Sequence, residues 1–410
     1  MPGEEEMRAI VRLAWRNLWR HPQRTALAIA IVAFGTFCII VVWGITEGWI
    51  KTMTHAQVSL DQGHLKIFAA GYRADPALEK ALASEDLHRA LSELARFPGA
   101  EAAPRLTVYG MLKSAYGAAG VEIRGVDPER EPRVTEIPRR IVAGAWFSGP
   151  GQILLGQSLA EELDVRLGER VVVLVQGARG PRSQAFRAVG FFASGLPGLD
   201  KSTVLIPLED ARAIAGVLGA TEVVVRISSG DPATLAARLQ EALGERFEVR
   251  DFFSLNPLIR DMVRVAWIEL TPMIAILALL SGFGVANTVL FSVLQRTREL
   301  GIMAAVGMSP RTLARMVLME SLLSSALGYG VGAGAGYGVN LILATRGVSF
   351  GEVFGEMLGR AGMPAVLYSA VSGWYWLGSL SVVLATGLVA AWYPARRAAR
   401  LSPVEAIREG

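Results

Sequence analysis

The chain has 410 residues, 52% of them hydrophobic, and a net charge of only +4. A composition this apolar excludes an ordinary soluble enzyme, and a charge balance this mild excludes a nucleic-acid-binding surface. Its one cysteine, Cys38, lies in an apolar run and excludes both a disulfide framework and a thiolate metal cluster.

Residues 1–24 carry Arg8, Arg12, Arg16 and Arg20 at four-residue intervals, flanked by Ile10, Val11, Leu13, Ala14, Trp15, Leu18 and Trp19. On a helix this spacing gathers the charges into one stripe, which predicts an amphipathic helix lying on the inner leaflet. It serves either as an anchor or as a contact surface for a cytoplasmic partner. Residues 25–46 hold no charge. At about 1.5 Å per residue they would cover the roughly 30 Å hydrocarbon core, which predicts the first transmembrane span. The run is too long for a signal peptide, and no small-residue cleavage site follows it.

Residues 47–269 carry charge at ordinary soluble density and are numerous enough to bury a core of their own. Short β-branched and apolar runs predict strands at 121–126, 170–176, 186–192, 203–206 and 222–227. Helical spacing marks 78–96, 158–163, 208–217 and 233–243. An α+β domain of two subdomains is expected.

Spans two and three are predicted at 270–295 and 321–345. The third contains Gly328, Gly332 and Gly336, whose four-residue spacing lets helix backbones approach closely in lipid. A phosphate-binding loop would need a preceding strand, and the surroundings are uniformly apolar. Residues 361–395 are free of charge; the fourth span is placed at 374–394, after an outer loop at 346–373 that includes Pro364. Trp374, Tyr375 and Trp376 form an aromatic belt at the interface. A tail at 395–410 completes the chain.

The fold class is therefore an α-helical membrane protein with four transmembrane helices, one before and three after a large inserted α+β extracytoplasmic domain. Arg24, Arg296, Arg298, Arg311, Arg315, Arg396, Arg397 and Arg400 cluster with the N-terminal arginines on one side of such a layout. The positive-inside bias predicts a plasma-membrane protein with both termini and the 296–320 segment in the cytoplasm.

Several chemistries are missing from the sequence. None of the lysines, at 51, 66, 80, 113 and 201, follows a glycine, so no P-loop can form. His21, His55, His64 and His88 lack metal-ligand spacing, and no nucleophile elbow occurs. Mid-span charges that would serve an ion relay are missing. No catalytic or metal site is predicted.

The segment 296–320 holds the most informative pattern. A short helix from Glu299 to Val306 is stopped by Gly307 and restarted after Ser309, with Pro310 as its first residue. Ile302, Met303 and Val306 have no evident core to cover, so the helix either lies flat on the membrane or enters a partner's groove. The stretch Gln295-Arg-Thr-Arg-Glu-Leu-Gly-Ile-Met-Ala-Ala-Val-Gly-Met-Ser-Pro-Arg-Thr-Leu-Ala-Arg-Met-Val-Leu-Met-Glu-Ser321 resembles the coupling-helix signature of the FtsX-like, MacB-like ABC transporter permease family. The tail Tyr393-Pro-Ala-Arg-Arg-Ala-Ala-Arg-Leu-Ser-Pro-Val-Glu-Ala-Ile-Arg408 and the opening Trp15-Arg-Asn-Leu-Trp-Arg-His-Pro-Gln-Arg-Thr25 resemble that family's terminal patterns. Within it, the outer segment resembles lipoprotein-releasing, or Lol-type, permeases through Gln62-Gly-His-Leu-Lys-Ile67, Arg124-Gly-Val-Asp-Pro128 with the run 153–169, and Gly190-Phe-Phe-Ala-Ser-Gly-Leu-Pro-Gly-Leu-Asp200.

The resemblance implies a mechanical transmitter that binds no cofactor itself, with ATP and Mg on a partner ABC ATPase dimer. It implies a second permease copy or homologue, membrane lipids, lipoproteins and a periplasmic carrier as further partners. Glu299, Leu300, Gly301, Met303, Ala304, Ala305 and Gly307 would face the ATPase, oriented by Arg298 and Glu320. Phe34, Trp43, Ile45, Met262 and Trp267 would contact acyl chains, or else simply pack in lipid. The turn at 178–183 would offer a hook to the carrier. Export of small amphiphiles or peptides, and signalling to a cell-wall hydrolase or sensor kinase, are the competing roles.

Overall fold

The computed structural model describes residues 2–20, 22–178, 180–349 and 366–400. Arg179 of the predicted hook, residues 350–365 of the predicted outer loop with Pro364, and the tail motif beyond Arg400 lie outside the described residues, as does the Trp374 side chain. In chain order the first elements are α1 (Pro2–Arg20), α2 (Pro22–Gln57) ending in a π-turn at Val58–Gln62, β1 (Leu65–Ala69), α3 (Ser84–Leu94), β2 (Ala100–Lys113), β3 (Ala118–Val126), α4 (Glu131–Val134) and β4 (Ile141–Gly144). Next come β5 (Gln152–Gly156), α5 (Gln157–Glu162), β6 (Arg170–Gly177), β7 (Gly180–Phe192), α6 (Pro197–Ser202), β8 (Thr203–Pro207), α7 (Leu208–Ala215) and β9 (Glu222–Ile227). The last are α8 (Pro232–Leu243), β10 (Phe247–Asp251), α9 (Phe252–Leu255), α10 (Pro257–Gln295), α11 (Thr297–Ala305), α12 (Pro310–Arg346) and α13 (Trp374–Ala399).

The chain forms two compact units. One comprises Met1–Lys51, Val263–Val348 and Leu367–Gly410; the other comprises Thr52–Met262 and Ser349–Val366. In the first, α2, α10, α12 and α13 are long and apolar enough to cross a membrane. All four are longer than hydropathy alone predicts: α2 continues past residue 46 to Gln57, α10 starts at Pro257 rather than near 270, α12 starts at Pro310 rather than 321, and α13 runs to Ala399. Polar residues there continue the helix because they keep its backbone hydrogen bonds.

Small residues set the packing of this unit. Gly328, Gly332 and Gly336 of α12 all face α2: added Cβ atoms would meet Val32, the Ala33 carbonyl and Ile40. The interleaved Gly330, Gly334 and Gly338 have nothing within 4 Å. Further along α2, Gly44 makes room for the Asn340 and Ser369 side chains and Gly48 for the backbone of residues 368–370, and the Ala370 amide donates to the Gly44 carbonyl at 2.8 Å. Asn340, fully buried, donates to the Ile40 carbonyl at 2.9 Å and accepts from Ser369 at 3.0 Å.

In the second unit, β2 pairs with β3, β3 with β8, β8 with β5, β5 with β7, β7 with β6, and β6 again with the far end of β2. The six strands therefore close into a ring, and one apolar cluster draws on all of them, from Leu106 and Val108 through Ile153 and Val173 to Ile206. Closure removes exposed strand edges. The near half of β2 instead carries β9, which pairs with β1 and then β10. Helices α3 and α8 pack Leu87, Leu94, Leu239 and Leu243 on that extension. Both parts belong to one continuous ten-stranded sheet.

Three local expectations change. The segment 78–96 is not one helix: a 3-10 turn at Leu78–Lys80 gives way to extended chain, where Leu82 bridges to Ala220, and the helix restarts at Ser84. Helix α7 stops at Ala215 because Gly216 takes φ +73°, a left-handed end open to glycine. Strand β2 escapes detection because residues 103–106 are buried in succession, which erases the alternating pattern, and Pro104 interrupts them.

Candidate functional site

The short helix α11 lies between the two long helices α10 and α12. Gly307 at φ +103° closes it, and Ser309 caps α12 by accepting from the Thr312 amide at 3.2 Å, with Pro310 in the first turn. Arg296, 6% exposed, governs the turn from α10 into α11. Its Nε donates to Glu299 at 3.2 Å and its Nη1 to Glu320 on α12 at 3.3 Å. Glu299 also accepts from Arg20 of α1 at 3.3 Å. That outer pair is largely exposed and worth under about 1 kcal/mol, whereas Arg296 is held in a protein-lined site.

Of the two residues expected to orient the helix by charge, Glu320 joins this arrangement. Arg298 is exposed, and the cation that meets Glu320 is Arg296. The Arg296–Glu299 spacing of three residues is a usable sequence signal; Glu320 is singled out by the resemblance, but its pairing with Arg296 across twenty-four residues is not.

The apolar residues of α11 divide into two sets. Leu300 and Gly301 are buried, and Met303 and Ala304 are half-buried against a cluster with Ile10, Val293, Leu313, Met316 and Val317. Met303 therefore does have a core to cover, and Leu300 and Gly301 do not face outward from this chain. Ile302 (48% exposed), Ala305, Val306 (85% exposed) and Gly307 are the residues presented outward.

Helix α1 lies along α12 and divides its surface in three. Ile10, Ala14 and Leu18 are buried. Val11, Trp15 and Trp19 are exposed, with the two indoles in edge contact at 5.9 Å. The stripe of arginines completes the circumference. An exposed tryptophan pair beside arginines suits a membrane interface, where each group keeps its preferred solvent.

The residues expected to contact acyl chains do not form one surface. Phe34 is 68% exposed on α2, while Trp43 is buried and packs on Trp267 at 6.4 Å and Tyr375 at 6.2 Å. Ile45, Trp267 and Met262 are half-buried. Trp43 thus serves internal packing. Exposed apolar groups concentrate on α10, at Ile276, Leu279, Leu280 and Phe283. The predicted hook is a tight hairpin, with Gly177 paired to Gly180 across β6 and β7.

The family described as MacB-like periplasmic core domain matches residues 25–242, more than half of the chain. The chain belongs to the MacB-like, FtsX-like permease family. The FtsX-like permease C-terminal description matches residues 273–403, covering α11 and the long helices around it. As a member, this permease is a membrane subunit of an ABC transporter system. It is 26% identical to the lipoprotein-releasing system transmembrane protein LolC of Neisseria meningitidis serogroup B, over 94% of each chain. It is also 26% identical to the macrolide export ATP-binding/permease protein MacB of Bordetella avium, over 97% of this chain and 59% of that one. A pyoverdine export ATP-binding/permease protein, PvdT of Pseudomonas fluorescens, matches equally, again over 59% of its length. The permease thus spans about three fifths of those ATP-binding relatives. Among solved structures, the periplasmic region of MacB from Actinobacillus actinomycetemcomitans is similar at 15% identity, covering 48% of this chain and 92% of that one, with a TM-score of 0.35.

Proposed function

We propose that the permease transmits ATP-driven motion from a cytoplasmic ABC ATPase to its own extracytoplasmic domain, and that its cargo is a lipoprotein released from the inner membrane toward the outer membrane. The observation that carries the transmission step is α11, a helix anchored by Arg296 and Leu300 that presents Ile302 and Val306 outward with nothing among the described residues to cover them. A groove on the ATPase is their natural cover.

In this reading both termini and α11 are cytoplasmic, one span precedes the outer domain and three follow it. ATP and Mg bind the ATPase, a separate chain, and two permeases, identical or homologous, work together. The exposed apolar groups of α10 and Phe34 of α2 supply the surface for a second permease or for acyl chains. The full-length likeness to LolC supports lipoprotein release over export, because the macrolide and pyoverdine relatives match over a smaller part of their length. Export of small amphiphiles or peptides is the competing role, supported by those same relatives.

The test is to purify the tagged permease from its native membrane in mild detergent and identify by mass spectrometry what comes with it. An ABC ATPase together with an acylated protein is the expected result. An ATPase with a tunnel-forming channel and no acylated protein would overturn the lipoprotein reading in favour of export. Absence of any ATPase would overturn the transmission step as well.

A further inference from the structure

The π-turn Val58–Gln62, where α2 ends, sits on an unusual cluster of buried charge within the outer unit. Arg105 of β2 and Glu131 of α4 are each 1% exposed. The Arg105 Nε and Nη2 both donate to the Glu131 carboxylate, and its Nη1 donates to the main-chain carbonyl of Asp61 at 2.5 Å. The Asp61 carboxylate accepts from Arg124 of β3, which also holds Glu122. On the other side of the turn, Gln62 and Asn256 exchange amide hydrogen bonds, with Gln62 Nε2 donating to Asn256 Oδ1 at 3.3 Å. Asn256 immediately precedes α10. Burial works against the charged Arg105, but the neighbouring Glu131 carboxylate outweighs it and leaves its pKa raised.

Such a cluster is a poor way to stabilise a fold. Desolvating ions costs more than their attraction usually returns, and an apolar replacement of similar volume often stabilises. What buried ion pairs do supply is a single geometry, because only one arrangement satisfies every charge. Here that geometry fixes the end of α2: Arg105 holds the Asp61 carbonyl, Arg124 the Asp61 side chain, and Gln62 joins the turn to the start of α10. A π-turn, which widens the helix and releases its regular hydrogen bonds, would otherwise leave this end free to swivel.

We infer that Arg105 is a positioning residue for motion transfer: with Glu131, Asp61 and Arg124 it forms a stiff joint through which the ends of α2 and α10 turn the β-sheet as one piece. The inference rests on the transmission reading proposed above. It makes Arg105 a residue whose loss separates stability from coupling.

The experiment uses the full permease–ATPase complex in nanodiscs, with spin labels at Leu218→Cys, an exposed site of the outer domain, in a Cys38→Ser background. Arg105→Met/Glu131→Met is expected to melt at or above the native temperature and retain ATP turnover, yet lose the nucleotide-driven change in label distance. A native distance change in that double variant would overturn the joint. A second variant guards against misfolding: Gln62→Cys/Asn256→Cys, locked by oxidation, should keep the distance change. Loss on oxidation, restored by a reductant, would show that the two helix ends must separate and would likewise overturn the inference. If the unsubstituted complex shows no nucleotide-driven change, the transmission reading fails and the joint fails with it.

Discussion

Replacing Val306 and Ile302 together by serine tests the outward face of α11 directly. Val306 is 85% exposed and Ile302 48% exposed, so their truncation should change the stability of the permease itself by less than about 0.5 kcal/mol each. Full burial of a Val or Ile side chain is worth about 1.5–3 kcal/mol. With most of the Val306 surface and half of the Ile302 surface still in water, seating both in an ATPase groove would contribute roughly 2–3 kcal/mol. Since about 1.4 kcal/mol is a factor of ten, Kd for the ATPase should rise some thirty- to hundredfold. Binding is measured by titrating labelled ATPase onto nanodisc-embedded permease, with melting followed in parallel. Leu300→Ala, at a 2% exposed site, is the contrasting control. It should destabilise the permease by about 2–5 kcal/mol. Native affinity in the Val306→Ser/Ile302→Ser protein would refute the assignment of α11 as the ATPase contact.

Two other outcomes follow from the packing and the titration of single residues. Gly332→Val should destabilise the helical unit by about 1–3 kcal/mol by overpacking, because its Cβ meets the Ala33 backbone; Gly334→Val, with nothing within 4 Å, should leave the melting temperature in detergent unchanged. His64 has its pKa held below the ordinary 6.5 by burial and then by Arg226, and its Nδ1 accepts from the Ile227 amide at 3.2 Å. Below pH 6.5 the unfolded chain therefore takes up the proton more readily than the native one, so its contribution to stability is complete above pH 6.5 and declines as pH falls. Melting curves from pH 5 to 7.5 should show this slope in the native permease and a flatter one in His64→Gln.

What could be read from the sequence was what depends on local pattern. Strand β9 coincides with the predicted 222–227 because its Val223, Val224 and Val225 favour extended chain whatever surrounds them. Helix α11 falls within two residues of its predicted ends, since Gly307 and Ser309-Pro310 are positional signals. The closed strand ring was not legible: β6 reaches β2 across some sixty residues, a pairing that no window reveals. The same holds for the joint, where Arg105 finds Glu131 twenty-six residues on and Asp61 forty-four residues back. Met303 was misread because an apolar residue on a short helix cannot declare which side a distant helix will cover.

The placement of buried charge argues against a conduit and for a lever. Among the described residues of the helical unit, the buried charged side chains are Glu47, just past the charge-free stretch of α2, and Arg296, just past the end of α10. Glu47 pairs with Lys51 at 2.7 Å and accepts from Ser372, while Arg296 joins α11 to α12. Between these levels α12 meets α2 closely through Gly328, Gly332 and Gly336, and the buried polar side chains there, among them Thr36, Ser325 and Asn340, are uncharged. An aqueous path would need polar groups along the middle of the spans to offset the desolvation of its cargo. Ions placed just past the charge-free stretches do something else: they fix where a helix points while leaving its length free to slide or tilt in lipid. In the transmission reading proposed above, costly interactions placed where helix direction is set suit the delivery of a movement received through α11.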